Sequence, residues 1–222
     1  NTRREPRFYA WIAFDGGDMG SRIYGGQPLK LEMRNSELHG YNPSLFNRDN
    51  CVTGYLSQKF IEPTFAWTAS AEEKQNKPRP LIRMAELYLN LAECCAALDE
   101  VPQALAQLNI VRKRAGIREL TTSDVTDDMP IMKWVQNERF VELWGEGHRY
   151  YDIRRWMIAP EYMSAGVRRG LNAMSKLDPS FEEFNTPVVI SQDFKWTNRM
   201  YFLPVFENEV YKNPQLIQAP GY

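Results

Sequence analysis

Glu138 and Glu142 stand one helical turn apart, and a pair so spaced in this 222-residue chain could break a bond. Two carboxyls so placed lie about 6 Å apart, near the separation at which one carboxylate attacks a glycosidic carbon while the other protonates the leaving oxygen. Their surroundings argue for a different use. Between Glu138 and Trp156 the acids Glu138, Glu142, Glu146 and Asp152 alternate with Arg139, Arg149, Arg154 and Arg155. A general acid needs a raised pKa, and guanidinium neighbours act in the opposite direction. Read at 100° per residue from Pro130, the helix sets Glu138 and Glu142 on the face of Ile131, Val135 and Val141, with Phe140, Leu143 and Trp144 on its other sides. A helix apolar nearly all round is buried, and ionised acids survive burial only beside matched donors. Arg139, Arg149, Arg154 and Arg155, with Arg83 from another helix, supply planar, bidentate ones. The expectation is a structural ion network of Arg83, Glu138, Arg139, Glu142, Glu146, Arg149, Asp152, Arg154 and Arg155, and no catalytic residue is assigned.

The other reactive side chains are few. His148, among Arg149, Tyr150 and Tyr151, reads as a hydrogen-bonded packing residue, because no Ser or Cys nucleophile stands at an interpretable spacing. Cys51, Cys94 and Cys95 are odd in number, and two adjacent residues of one helix point apart, so they are expected as free thiols. With His39 and His148 the sole histidines and no metal-ligand spacing, no transition metal and no cofactor are assigned. Asp15-Gly-Gly-Asp18 lacks the alternating ligands and terminal Glu of a calcium loop and reads as a Gly-rich turn.

Composition narrows the partners. Twenty-seven basic and 28 acidic residues leave a net charge of −1, without the basic face that nucleic acid requires. No apolar run approaches the ~20 residues that span a bilayer, and the opening residues lack the apolar stretch of a signal peptide.

The elements that must position these groups fall into three parts. Residues 1–79 are expected as loops and short strands: residues 7–14 and 53–60 alternate like strands, between breakers at Asp15-Gly-Gly-Asp18, Gly25-Gly-Gln-Pro28 and Tyr41-Asn-Pro43. Loops this long in a compact domain tend to serve a function. Residues 80–157 read as the helical core. Ile82, Ala85, Leu89, Ala92 and Ala96 predict a helix over 80–99; Leu105, Leu108 and Val111 predict a second over 103–115, with Arg112, Lys113 and Arg114 on its C-terminal dipole and Gly116 as its stop. This hairpin carries tetratricopeptide offsets at Tyr88, Leu91, Ala92, Ala104 and Leu108, with Cys95 in place of an aromatic. One such unit needs other structure to cover it. Helices over 130–144 and 150–157 follow. Residues 158–222 read as loop-rich, with residues 166–170 a loop and 187–190 and 200–206 extended.

The order of motifs resembles the C-terminal part of the SusD/RagB family of outer-membrane nutrient-binding lipoproteins of Bacteroidetes. The resemblance rests on Glu5-Pro6-Arg7-Phe8-Tyr9, on Thr53-Gly54-Tyr55 with Lys59, and on the helix from Ile82 to Glu93. It rests further on the block from Glu138 to Trp156 and on the ending Asn213-Pro214 to Gly221-Tyr222. It covers nearly the whole chain, as one C-terminal SusD-like domain. The implied fold is mainly α: a tetratricopeptide-like hairpin and further helices, wrapped by long loops and short strands. Members are around twice this length, which implies a C-terminal fragment, with the lipid-anchored N-terminus upstream.

The resemblance implies a non-catalytic function: oligosaccharide capture at the outer-membrane surface and delivery to a SusC-type TonB-dependent transporter. Sugar recognition sets aromatic faces against pyranose C–H faces, edged by polar hydrogen-bonding side chains. The first quarter of the chain offers Trp11, Tyr24, Tyr41 and Trp67 beside Asp15, Asp18, Asn35, Asn42 and Arg48, and core packing is the alternative use of each ring. Of these Trp11, Asp15, Tyr24, Tyr41, Asn42 and Trp67 are the expected ligand residues. The rival functions are a glycoside hydrolase built on Glu138 and Glu142, and a protein-interaction scaffold built on the hairpin.

Overall fold

A computed structural model of the chain describes residues 4–23, 27–44, 50–61, 66–68, 71–72, 80–164, 166–191 and 195–222; of residues 20–23, 27, 66–68, 71–72 and 191 it describes the backbone alone. Residues 7–14, expected as a strand, split into helix α1 (Pro6–Trp11) and strand β1 (Ile12–Phe14). Pro6 opens the helix with its φ already set and no N–H to satisfy, and the first turn carries Arg7 inward to 5% exposure. The β-favouring rings Phe8, Tyr9 and Trp11 had imitated a strand. Beyond a tight turn come β2 (Asp18–Ile23) and β3 (Gln27–Lys30), paired antiparallel; β4 (Tyr55–Ser57) pairs with β1. Strand β5 (Ala66–Thr68) runs parallel to β2, and β6 (Ala71–Glu72) closes that sheet. Gly54, before β4, has φ +72°, and a Cβ there would stand 2.9 Å from Leu171 Cβ and 3.0 Å from Phe184 Cζ. Conformation and space both demand glycine.

Helix α2 (Met84–Ala97) starts later than its apolar period suggests. Arg83 is its extended N-cap and Ile82 is 70% exposed, because the Arg83 side chain is drawn to Glu142 and Glu146 instead of continuing the helix. Helix α3 (Val101–Arg114) pairs with α2, and α4 (Ile131–Glu142) packs on both. Ala85, Leu89, Ala92 and Ala96 meet Ala104, Leu105, Leu108 and Val111, with Ile131, Val135 and Leu143 closing the main core. Helix α4, instead of a second repeat, thus covers the hairpin.

The remainder runs through α5 (His148–Arg155), α6 (Ala159–Met163), β7 (Arg168–Leu171), α7 (Phe181–Phe184), β8 (Pro187–Ser191), a 3-10 turn (Asn198–Tyr201) and α8 (Glu207–Lys212). Residues 168–171 are therefore a strand, paired antiparallel with β8, where a loop was expected. Of the expected extended run at 200–206, the first two residues belong to the 3-10 turn. Gln218 holds the part beyond it, accepting from Val205 N at 2.7 Å and donating to Val205 O at 2.9 Å. A second, smaller core gathers Ala13, Leu31, Met33, Cys51, Leu171, Ala173 and Phe184. The architecture is mainly helical, with short sheets at its margin.

Three helices end in the same Schellman motif. Glu100 N donates to Cys95 O, Ile117 N to Arg112 O and Ile158 N to Ile153 O, each past a residue with positive φ: Asp99 (60°), Gly116 (71°) and Met157 (59°). Met157 pays for this with a left-handed conformation that a side chain disfavours. Met157 is 65% exposed. Met157→Gly is therefore expected to raise stability by about 1 kcal/mol in urea unfolding, and Gly116→Ala to lower it by about 1 kcal/mol.

Candidate functional site

The acids of α4 lie where α1, α3 and the residues before α2 converge. Arg7 Nη1 stands 2.6 Å from Glu138 Oε1 and 3.0 Å from Glu142 Oε2, while its Nε reaches Glu5 at 2.8 Å. Arg112 holds the other Glu138 oxygen at 2.8 Å. Arg83 and Arg114 both reach Glu142 Oε1 at 2.5 Å. Glu138 is 2% exposed and Glu142 fully buried, so both are enclosed among donors. Lys59 donates to Glu146 at 2.5 Å and to the carbonyls of Glu142 and Trp144 at 2.8 Å each, closing the frayed end of α4. Its ammonium also lies 4.0 Å from the centre of the Trp11 ring.

A second cluster joins α4 to α5 and α2. Arg139 donates to Asp152 at 3.1 Å and to Asn90 at 2.6 Å. Asp152 also holds Arg155 at 2.8 Å, and Arg155 and the Trp156 indole both bind Glu93.

Two arginines expected in the network lie outside it. Arg149 stacks 4.3 Å from the Phe140 ring and 4.7 Å from Tyr162; Arg154 lies 3.6 Å from the Tyr150 ring and donates to Met200 O and Tyr150 O. Helical phase explains both: Arg154 is about 160° round α5 from Asp152, and Arg149 is on the flank away from Arg155. Arg7, Lys59, Glu93, Arg112 and Arg114 are members that spacing did not reveal. Arg112 and Arg114 had been assigned to the helix dipole alone, and no local pattern ties residue 7 to residue 138.

The charges respond to this packing. Burial pushes the Glu146 carboxyl up, yet hydrogen bonds from Arg83 and Lys59 outweigh it and hold it below the usual carboxylate range. Glu93 likewise ends low, burial being overcome by Arg155 and Trp156. Burial lowers Lys59, offset in part by Glu146, and lowers Arg149.

Two open cavities lie elsewhere, around α1 and the loop after β1. One, about 580 Å³, is lined by Arg4, Phe8, Tyr9, Phe14, Tyr55, Phe181 and Asn185 among others. The other, about 520 Å³, is lined by Lys30, Leu31, Glu32, Arg34, Asn35, Asp178 and Pro179 among others. Asp15 lines both. Its turn is tight, with Gly17 N on Phe14 O at 3.0 Å, and its carboxylate takes Arg34 Nε at 2.8 Å. Asp178 accepts from Ser36 N at 2.8 Å and from Ser36 Oγ at 3.2 Å, tying the loop after β3 to the one before α7.

The expected ligand residues scatter. Asp15 and Asn35 reach the cavities; Trp11 belongs to the ion network, stacked on Lys59. Asn42 shapes a turn, its Oδ1 accepting from Ser44 N and Oγ and its Nδ2 donating to Ser36 O, with half-buried Tyr41 beside it. Asp18 is exposed at the start of β2. Tyr24 and Arg48 lie outside the described residues, and of Trp67 the backbone alone is described, paired with Ile23 and Glu72. Tyr9, Arg34, Phe181 and Asn185, all bordering the cavities, were not singled out from sequence. His148 Nε2 lies 3.7 Å from Glu86. Among the described residues no group of His, Cys, Asp and Glu is arranged to hold a metal ion.

The model of the SusD family matches residues 1–222. The chain belongs to the SusD family. It is 36% identical over 116 residues to SusD-like protein P25 of Formosa agariphila, an alignment covering 49% of this chain and 22% of that protein. The solved structure of BT4246 superposes with a TM-score of 0.92 at 57% identity, over 99% of this chain and 38% of that one. A SusD-like carbohydrate binding protein (BF0978) from Bacteroides fragilis NCTC 9343 shares the fold at a TM-score of 0.66 and 23% identity, over 96% of this chain and 41% of that one. This SusD-family chain thus spans well under half the length of these relatives. Among its described residues no helix is long and apolar enough to cross a membrane.

Removing Glu142 leaves Arg7, Arg83 and Arg114 short of a partner, and loss of one member of a buried ion cluster costs about 3–5 kcal/mol. Glu142→Ala is expected to lower stability by that amount in chemical denaturation. For Glu93 and Glu146 the folded pKa lies below the unfolded one, so their contribution is complete above the ordinary carboxylate range and is lost as pH falls through the folded values. Urea midpoints taken from neutral to acid pH are expected to fall below about pH 4, whereas a flat profile down to pH 3 would contradict the network's role.

Proposed function

We propose that this SusD-family chain takes part in non-catalytic binding of oligosaccharide or glycan nutrients at the cell surface, and in their delivery to a SusC-type TonB-dependent transporter. The protein carrying it is held at the outer membrane by a lipid anchor outside this chain. The observation that supports binding over hydrolysis is the place of Arg7: one nitrogen sits within 3.0 Å of both Glu138 and Glu142, in the space where a scissile bond would have to lie. Retaining chemistry needs a nucleophile and an acid that can reach the substrate, and here both carboxylates are buried and occupied by guanidiniums. Binding asks instead for exposed rings beside polar groups, and Tyr9 (46% exposed) and Phe181 (58%) border cavities rimmed by Asp15, Arg34 and Asn185. The carbohydrate-binding description of BF0978 agrees with this reading.

Calorimetry against a polysaccharide panel, with chromatography of the same mixtures, tests it: the expected outcome is binding with no shortened product. Release of product that Glu138→Gln abolishes would instead establish a hydrolase. Co-purification with the neighbouring outer-membrane transporter tests delivery.

A further inference from the structure

The two cavities share Asp15 in their linings. Arg34 lines the smaller cavity and Phe181 the larger one with the other rings, and the Arg34 guanidinium carbon lies 5.8 Å from the centre of the Phe181 ring while its Nε holds Asp15. Both residues of this pair reach solvent, Arg34 at 40% side-chain exposure and Phe181 at 58%. A chain molecule can therefore lie across this exposed pair with one unit on each side of it.

Both linings mix apolar and polar groups, as a sugar does. The aromatic side offers rings that suit the apolar C–H face of a pyranose. On the other side Lys30 donates, Glu32 accepts and Asn35 does both, which suits hydroxyls that donate and accept together. Charge then decides the class of sugar. The cations Arg4, Lys30 and Arg34 are matched in number by the carboxylates Asp15, Glu32 and Asp178. Arg34 is already engaged by Asp15. A polyanionic glycan needs an excess of cations, and a cationic one an excess of free carboxylates; among the described residues this lining provides neither.

We propose that the joined cavities seat an uncharged oligosaccharide of at least two units, one ring against Phe181 and the next hydrogen-bonded around Asp15 and Asn35. The inference rests on the saccharide-binding reading above and specifies its place and charge class.

Calorimetry of the purified protein tests it with neutral gluco-, manno-, xylo- and galacto-oligosaccharides, oligogalacturonates and sulfated galactans. A neutral member is expected to bind, with affinity nearly independent of added salt. Phe181→Ala and Asp15→Asn are each expected to weaken it about tenfold, since each removes one ring face or one charged acceptor. Tyr151→Ala, on the distant helix α5, is expected to leave it unchanged, and circular dichroism checks that each variant is folded. If Phe181→Ala and Asp15→Asn bind the neutral sugar as the parent does, the location is wrong while saccharide binding stands. If only the acidic or sulfated probes bind, with affinity falling steeply in salt, the charge class is wrong. Absence of binding to every saccharide would remove the functional reading itself.

Discussion

One guanidinium nitrogen ties the start of this fold to its central helix. Arg7 Nη1 lies between Glu138 and Glu142, so the first described helix is tied to the central one across more than 130 residues of sequence. Around that contact Arg112 and Arg114 come from the end of α3, Arg83 from the cap of α2 and Lys59 from beyond β4. Each of these ions is expensive to desolvate, and the attraction offsets that cost only when every partner is present. Such a cluster adds little net stability and strongly disfavours any register that leaves one member alone. It therefore acts on which packing forms, while the apolar core of α2, α3 and α4 provides the driving force.

The same contact sets the geometry of the surface. With Arg7 directed inward, its neighbours Phe8 and Tyr9 are carried to the cavity side of α1, where Phe8 meets Phe14 at 5.3 Å and Tyr55 at 6.0 Å between ring centres. Trp11, a turn later, returns to the interior beside Lys59. One short helix thus divides its aromatic residues between structure and cavity lining according to the direction of a single arginine.

This division also marks how far the sequence could be read. The apolar period at Ala85, Leu89, Ala92 and Ala96 and the stop at Gly116 are local properties, and both appear in the structure within a few residues of where they were expected. The helix at residues 6–11 was hidden, because a short run rich in rings satisfies a strand pattern as well, and the carboxylates that choose between them lie far along the chain. Arg154 and Arg149 were misplaced for a similar reason: an arginine beside an acid and an arginine beside a ring look alike until helical phase and the neighbouring Phe140, Tyr150 and Tyr162 are known. The cavity lining was least legible. Phe181 and Arg34 lie on loops and a four-residue helix that packing brings together, and neither stands in a motif.

Carboxylates in this chain differ less in chemistry than in what remains available to a visitor. Glu142 is fully buried and shared by three guanidiniums, so a ligand could reach it only by dismantling the core. Asp15 is held by one arginine, itself 40% exposed, at the meeting of two open cavities. A hydroxyl arriving there can join the existing pair without leaving a buried charge unpaired, which is the condition for reversible binding. The acids that spacing alone nominates for catalysis are thus closed off by their partners, and the acid in the Gly-rich turn borders open space.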